Sequence, residues 1–456
     1  MHIQRIQVPN FRVLQNVDIT FEKDFMPRIF PLGSLNGGGK STLLQLVFIL
    51  LHCSAHEDRK RYIQNLLDGF DVPEGETTRE LAKFDIWDGE ETIELVFSVC
   101  NDAFLNKLSE TYNEKFKFNI FERERTLKRK ELDIPELREK FQEIQERLQE
   151  ARKNPERRVG SYSVRMLEKK YTEANFELER YEQETINFPS THVEKIIDYL
   201  QSQGQLFISD CLGISDTDYK ALVCSSNEDI SDLSTITNIL QQISSRIHLA
   251  APSSHVYLFF SEKEKGTLFK QDTWNDYASV LQIAKKQLPN FFIHNFLLSD
   301  ALLKTFQYAR DQDFEQAIET GQYGSYYTDL LKDLSCLLGN KKITPSPKLD
   351  RIVVKLETPQ GDVELGPEDL SHGEIKKLSI YVWLKYIVGE NAIVLVDEIE
   401  NTLHPDWQYQ VVDSLKEWGP NNQYILATHS YDVCQALTPA HVKELEPKLL
   451  KNNPQE

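Results

Sequence analysis

The chain has 456 residues, a net charge of −19, and 40 % hydrophobic and 27 % charged residues. That length holds two or three domains of an ordinary soluble protein. The acidic balance excludes a surface given over wholly to nucleic acid and disfavours an anionic membrane surface. No apolar stretch reaches the length of a membrane span and the N-terminus lacks a signal-peptide layout. Cys53, Cys100, Cys211, Cys224, Cys336 and Cys434 are scattered with no C-x-x-C pair. That usage predicts reduced thiols in the cytoplasm and argues against a metal site or a disulfide framework.

Residues 2–22 alternate apolar and polar and predict a hairpin with Asn10-Phe11-Arg12 at its bend. Whether Phe11 is a core residue or a functional one is open from the pattern. An apolar strand over 28–32 then runs into Gly33-Ser34-Leu35-Asn36-Gly37-Gly38-Gly39-Lys40-Ser41-Thr42, and an apolar helix follows over 43–51. Strand, Gly-rich turn, Lys-Ser and helix is the setting of a phosphate-binding loop. Consecutive glycines let backbone N–H groups point at phosphate oxygens, and the helix N-terminus adds partial positive charge. Lys40 is then expected to reach the β- and γ-phosphates of ATP, and the Ser41 hydroxyl to hold Mg²⁺. Ser34 stands where the G-x-x-x-x-G-K-[ST] pattern has its first glycine.

Residues 53–90 read as polar and irregular, with strand character returning over 91–99 and 116–121. Between 135 and 186, Leu137, Phe141, Ile144, Leu148 and Ala151 repeat at spacings of four and three, as do Leu167, Tyr171, Ala174, Leu178 and Tyr181. These are heptad seams broken by Asn154-Pro155, which predicts a short antiparallel coiled-coil hairpin, with two surface helices as the alternative. Its tip carries Arg152, Lys153, Arg157, Arg158 and Arg165. Such a local basic patch is either solvated or a contact site for nucleic acid or an acidic partner. Helical patterns follow near 193–200, 233–247, 278–288 and 327–338, and 255–260 reads as a strand. A sheet restarts at 351–356.

The chain then regains motifs. Ser371-His372-Gly373-Glu374 opens a helix, which makes it an anion site or an ordinary capping box. The buried strand 393–396 ends in Asp397-Glu398, at the carboxyl end where α/β sheets bind ligands. Asp397 is expected to hold Mg²⁺ and Glu398 to orient or deprotonate the attacking water. A second apolar strand ends in Thr428-His429-Ser430, at a spacing that makes the two strands neighbours and brings His429 to the γ-phosphate or the water.

In this order of motifs the sequence resembles the ABC-type ATPases of the RecF, SMC and OLD group, often labelled AAA-domain proteins. The matching residues are Asn36-Gly37-Gly38-Gly39-Lys40-Ser41-Thr42, Ser371-His372-Gly373-Glu374, Asp397-Glu398-Ile399-Glu400, Leu403-His404-Pro405 and Thr428-His429-Ser430. The resemblance implies an α/β ATPase head split by an insertion. Its halves are 1–100 and 351–456; between them come connecting strands over 101–134, the coiled-coil hairpin over 135–186 and a mainly helical insertion over 187–350. It also implies a homo-oligomer with ATP sandwiched between subunits, Ser371 of one chain capping the γ-phosphate held by Lys40 of the other. Gln64 is the candidate for the family's Gln switch. The short segment after His429 leaves no room for the TOPRIM domain of OLD nucleases, so any nuclease is expected as a separate protein. In layout the chain is most similar to stand-alone ATPases of phage-defence operons such as the PARIS system. This suggests a sensor or scaffold for an effector held in trans. A DNA-repair or chromosome-organising ATPase is the alternative; a transporter subunit is disfavoured by the heptads and by Leu403-His404-Pro405.

Overall fold

The computed structural model describes residues 1–34, 37–101, 191–212, 219–226, 233–260, 287–294, 298–359 and 361–445, with residues 103–104, 141, 144–146, 148, 169–172 and 175 between them. Asn36, the strand expected over 116–121, the hairpin tip and nearly all of the helix expected near 278–288 lie outside the described residues.

The chain opens with strands β1 (His2–Phe11), β2 (Leu14–Thr20) and β3 (Ile29–Gly33), then helices α1 (Lys40–Cys53) and α2 (Lys60–Leu66). Strands β4 (Thr78–Trp87) and β5 (Thr92–Asn101) precede α3 (Thr191–Ser202), β6 (Gln205–Leu212), β7 (Tyr219–Ser226), α4 (Leu233–Arg246) and β8 (Ile247–Ala251). A 3₁₀ segment, Ser253–Phe259, leads toward β9 (Phe291–Ile293), α5 (Leu298–Thr320), α6 (Tyr326–Leu338), β10 (Lys341–Pro345), β11 (Ile352–Thr358) and β12 (Gly361–Leu365). Last come α7 (His372–Trp383) with a π turn at Leu384–Val388, β13 (Ile393–Asp397), α8 (Pro405–Trp418), β14 (Gln423–Ala427), α9 (Tyr431–Gln435) and β15 (Lys443–Glu444).

Two compact units divide the chain: Met1–Phe70 with Glu80–Ser98 and Cys224–Glu456, and Asp71–Arg79 with Val99–Val223. The first is built on a parallel sheet in the order β15-β3-β14-β13-β8-β9. Its central strand β13 is buried at every position, the run of apolar residues that a strand covered on both faces requires. Val394 and Val396 share a core with Leu378, Trp383, Val412 and Leu415. Helix α1 is apolar almost all round and packs across β8, β13 and β14. Strands β2, β1, β4 and β5 follow one another in a second sheet. The β1–β2 hairpin turns at Arg12, whose φ is 52°, and it buries Phe11. Gln423 ties β1 to the parallel sheet, accepting from Ile3 N at 2.8 Å and donating to Ile3 O at 2.7 Å.

In the second unit, Lys220 pairs with Asp71, and the rings of Phe141 and Tyr171, both on the expected heptad seams, lie 4.9 Å apart. Among the described residues no helix is long and apolar enough to cross a membrane.

Three expectations are corrected. The strand expected over 255–260 is the 3₁₀ segment, because Pro252 and two serines end the extended run after Ala251 and His255 N bonds back to Pro252 O at 3.0 Å. The strand is β8, just before it. The stretch 53–90, read as irregular, holds α2 and the ten-residue β4, whose Ala82, Phe84 and Ile86 are buried in alternation. Within 187–350, read as mainly helical, β8 and β9 are strands of the central parallel sheet.

Candidate functional site

The parallel register decides which motifs meet. Pro31 of β3 pairs with Leu426 of β14, and Ala427 of β14 with Asp397 of β13. The phosphate loop, Asp397-Glu398 and Thr428-His429 therefore leave the same edge of the sheet from three adjacent strands.

The loop itself curls through Gly37 and Gly39 at φ 79° and 89°, left-handed values that cost a side-chain-bearing residue energy. Gly39 has a second constraint: a Cβ there would lie 2.6 Å from Leu14 Cδ2. Helix α1 starts with neither a side-chain cap nor an acidic residue in its first turn. Its orphan N–H groups and partial positive charge are left for an anion. Lys40 is buried, and its Nζ donates to Ser34 O at 3.1 Å and Ser34 Oγ at 3.0 Å. The residue that departs from the glycine pattern thus holds the lysine. Burial lowers the Lys40 pKa, against the opposing pull of Glu400 and Asp397.

Ser41 Oγ donates to Asp397 Oδ1 at 3.1 Å. Asp397 is buried at the end of β13, and Glu398 follows at φ 51°. Lys376, one helical turn inside α7, donates to Glu398 O at 2.6 Å and Asn401 O at 2.9 Å. Asn401 Nδ2 donates to Glu398 Oε2 at 3.1 Å. Main chain and side chain of Glu398 are both held. Burial lowers Lys376 to a pKa of about 7, opposed by the carboxylates of Glu400, Glu398 and Asp397.

His429 Nδ1 lies 3.4 Å from Lys40 Nζ. Glu400 fixes that turn, accepting from His429 N at 2.6 Å and from Thr428 Oγ1 at 2.7 Å. Thr42 is the third residue of α1.

The Ser371 turn is a closed capping box. Ser371 Oγ accepts from Glu374 N at 3.3 Å, and Glu374 Oε2 accepts from Ser371 N at 2.9 Å. Lys341 Nζ donates to both Glu374 oxygens, at 2.7 and 2.8 Å. Burial pushes the Glu374 pKa up, but Lys341 and Ser371 more than offset it, so it stays below the usual range. The sequence placed Glu374 among the nucleotide-binding residues; the structure commits its carboxylate to bracing this turn. Gly373 lets the turn approach the loop after Glu398, since a Cβ there would lie 3.0 Å from Thr402 O. Ser371 and His372 are exposed.

Two histidines were missed by sequence reasoning. His255 Nδ1 lies 2.7 Å from Asp397 Oδ2, and its Nε2 3.8 Å from Glu398 Oε1. The bond to Asp397 raises the His255 pKa against its burial. His294, just past β9, places Nε2 3.2 Å from Asp397 O. Only strand order could have found them: β8 and β9 bring their ends to β13, and neither flanking sequence carries a motif. Gln64 lies on α2, half-buried.

The donor set suits Mg²⁺. A hydroxyl and a carboxylate oxygen converge at Ser41 and Asp397, hard ligands of the kind Mg²⁺ takes beside phosphate and water. Among the described residues no group of three or more His, Cys, Asp or Glu is arranged to hold a metal ion by protein ligands alone.

Fold and site together define a P-loop ATPase head. The chain belongs to the family described as the AAA ATPase domain, whose model matches residues 1–433. It is 29 % identical over 158 residues to the "Retron Vc95 probable ATPase" of Vibrio cholerae serotype O1 biovar El Tor, covering 32 % of this chain and 29 % of that protein. To the "Retron Ec83 probable ATPase" of Escherichia coli it is 32 % identical over 101 residues, 20 % of this chain and 19 % of that one. The chain thus spans less than a third of either curated relative. Similar solved structures include the Smc head domain of Pyrococcus furiosus bound to the C-terminal domain of ScpA, at 13 % identity and a TM-score of 0.32, covering 95 % of this chain and 91 % of that one. An SmcHead bound to the C-winged helix domain of ScpA scores 0.38 at 11 % identity, covering 96 % and 92 %.

Proposed function

We propose that this chain hydrolyses ATP and uses the nucleotide cycle to control a separate effector, a nuclease of the TOPRIM type, in defence against phage. The observation that carries the hydrolytic reading is the meeting of Ser41 Oγ with Asp397 Oδ1 at 3.1 Å, across 356 residues of sequence, beside Lys40 and Glu398. Phosphate oxygens take over Lys40 from Ser34, and backbone N–H groups of the loop and of α1 cradle them. When bound, Mg²⁺ neutralises charge on the phosphates; Ser41 and Asp397 are the residues that hold it. Glu398, with its backbone fixed by Lys376, presents a carboxylate to the attacking water, and His429 donates toward the γ-phosphate. The exposed Ser371 turn, already capped within its own chain, is free to face the phosphates bound by a second copy, which makes the active form a homo-oligomer. The likeness to retron ATPases supports the defence branch of this reading.

Glu398→Gln tests it. The variant keeps ATP binding and loses about 10²–10⁴-fold in phosphate release, the usual worth of a positioned general base. Lys40→Ala loses binding itself. Phosphate release unchanged in Glu398→Gln would refute the assignment.

A further inference from the structure

We propose that His255 is a positioning residue of the hydrolytic site, aligning Asp397 for the cation and steadying Glu398 beside it. The inference rests on the ATPase reading above and extends it to a residue that no motif marks.

Strand β8 runs parallel to β13, with Ala250 opposite Val396, so the chain leaves β8 level with the acidic pair. Pro252 ends the strand, and the 3₁₀ turn carries His255 back over the strand end. There Nδ1–H donates to Asp397 Oδ2 at 2.7 Å while Ser41 Oγ donates to Oδ1 at 3.1 Å. Each carboxylate oxygen has one donor, on opposite sides, so the carboxylate plane is fixed and Oδ1 is kept on the phosphate-loop side. His294 holds the main chain of the same residue through Asp397 O at 3.2 Å. The far nitrogen of His255 stands 3.8 Å from Glu398 Oε1, so a single imidazole spans two adjacent carboxylates that otherwise repel each other.

Such an arrangement is how an outer partner tunes a metal-binding carboxylate. Losing one costs about 10–100-fold in metal affinity or activity. A histidine that merely fills space at the strand end has a different signature, and two substitutions separate the cases. His255→Phe keeps the ring volume and removes both nitrogens. His255→Asn loses volume but keeps an N–H donor close to the position of Nδ1.

The measurement is the binding of a fluorescent ATP analogue, titrated with and without MgCl₂ on the full chain, beside steady-state phosphate release. His255→Phe is expected to raise the Mg²⁺ concentration for half-saturation and lower kcat, each by about 10–100-fold, and to leave Mg²⁺-free nucleotide binding unchanged. His255→Asn is expected to recover most of the Mg²⁺ dependence. The inference is overturned if His255→Phe matches wild type, or if His255→Asn is impaired as much as His255→Phe. A wild-type chain that binds no nucleotide at all, with Lys40→Ala no different, would instead overturn the ATPase reading beneath it.

Discussion

Lys376 offers a prediction that reads out in stability as well as in chemistry. Its side chain is 2 % exposed, and its ammonium is spent on two backbone carbonyls, Glu398 O and Asn401 O. Burial brings its pKa from 10.5 to about 7 in the folded chain. Unfolded, the lysine keeps its proton up to about pH 10; folded, it releases it near neutrality. Between those values the unfolded state binds more protons, so the contribution of Lys376 to stability rises with pH and is lost as pH falls toward 7. At about 1.4 kcal/mol per pKa unit, moving from pH 7 to pH 9 adds about 2–3 kcal/mol in favour of the folded state. Lys376→Met keeps the length of the stem and removes the titration. Urea unfolding of both proteins from pH 6.5 to 9 should give curves whose separation changes by that amount, with wild type gaining. At every pH the variant also loses the two lysine bonds, at about 0.5–1.5 kcal/mol each, since Glu398 O keeps the Asn401 N–H at 3.1 Å and Asn401 is exposed. Glu398 then loses one of the anchors of its left-handed backbone, so phosphate release should fall as well. Parallel stability curves, with a separation constant across the pH range, would show that Lys376 is not the buried cation described here.

Ser371→Arg should leave ATP binding by the single chain intact and lower hydrolysis, and mixing it with Lys40→Ala chains should restore part of the activity, because one composite site then contains neither lesion. Hydrolysis independent of concentration in a purely monomeric sample would rule out that arrangement. Gly39→Ala places a side chain at φ 89° with its Cβ 2.6 Å from Leu14 Cδ2 and 2.9 Å from Val13 Cγ2. The leucine and valine tips can give way, but the backbone strain stays, so thermal unfolding should report a loss of about 1–3 kcal/mol together with weaker nucleotide binding; an unchanged melting temperature would contradict the loop geometry.

The phosphate loop, the Asp397-Glu398 pair and the Thr428-His429 turn were legible because each is a local pattern. A Gly-rich turn between strand and helix, and apolar runs ending in a carboxylate or an imidazole, announce their chemistry within a dozen residues. Even the adjacency of β13 and β14 could be anticipated from their spacing. Strand β4 was harder to see, because Lys83 and Asp85 alternate with Ala82, Phe84 and Ile86 and the run passes for a polar loop unless the two-residue period is counted. Helix α5 was missed for a related reason: its apolar positions are diluted by charge along its whole length.

The sequence by itself determined the type of site and most of the residues that meet in it, since those depend on short-range backbone geometry. Only the tertiary structure decided what stands around them. Strand β8 lies beside β13 although Leu249 and its partner Leu395 are 146 positions apart in the chain, and that pairing alone carries His255 to Asp397. Lys376 reads as one more charge on an amphipathic helix until α7 is packed over the loop after β13, where its buried side chain donates to the carbonyls of Glu398 and Asn401. Parallel pairing is set by the burial of both faces of a sheet, a property of the whole core. No window of sequence contains it.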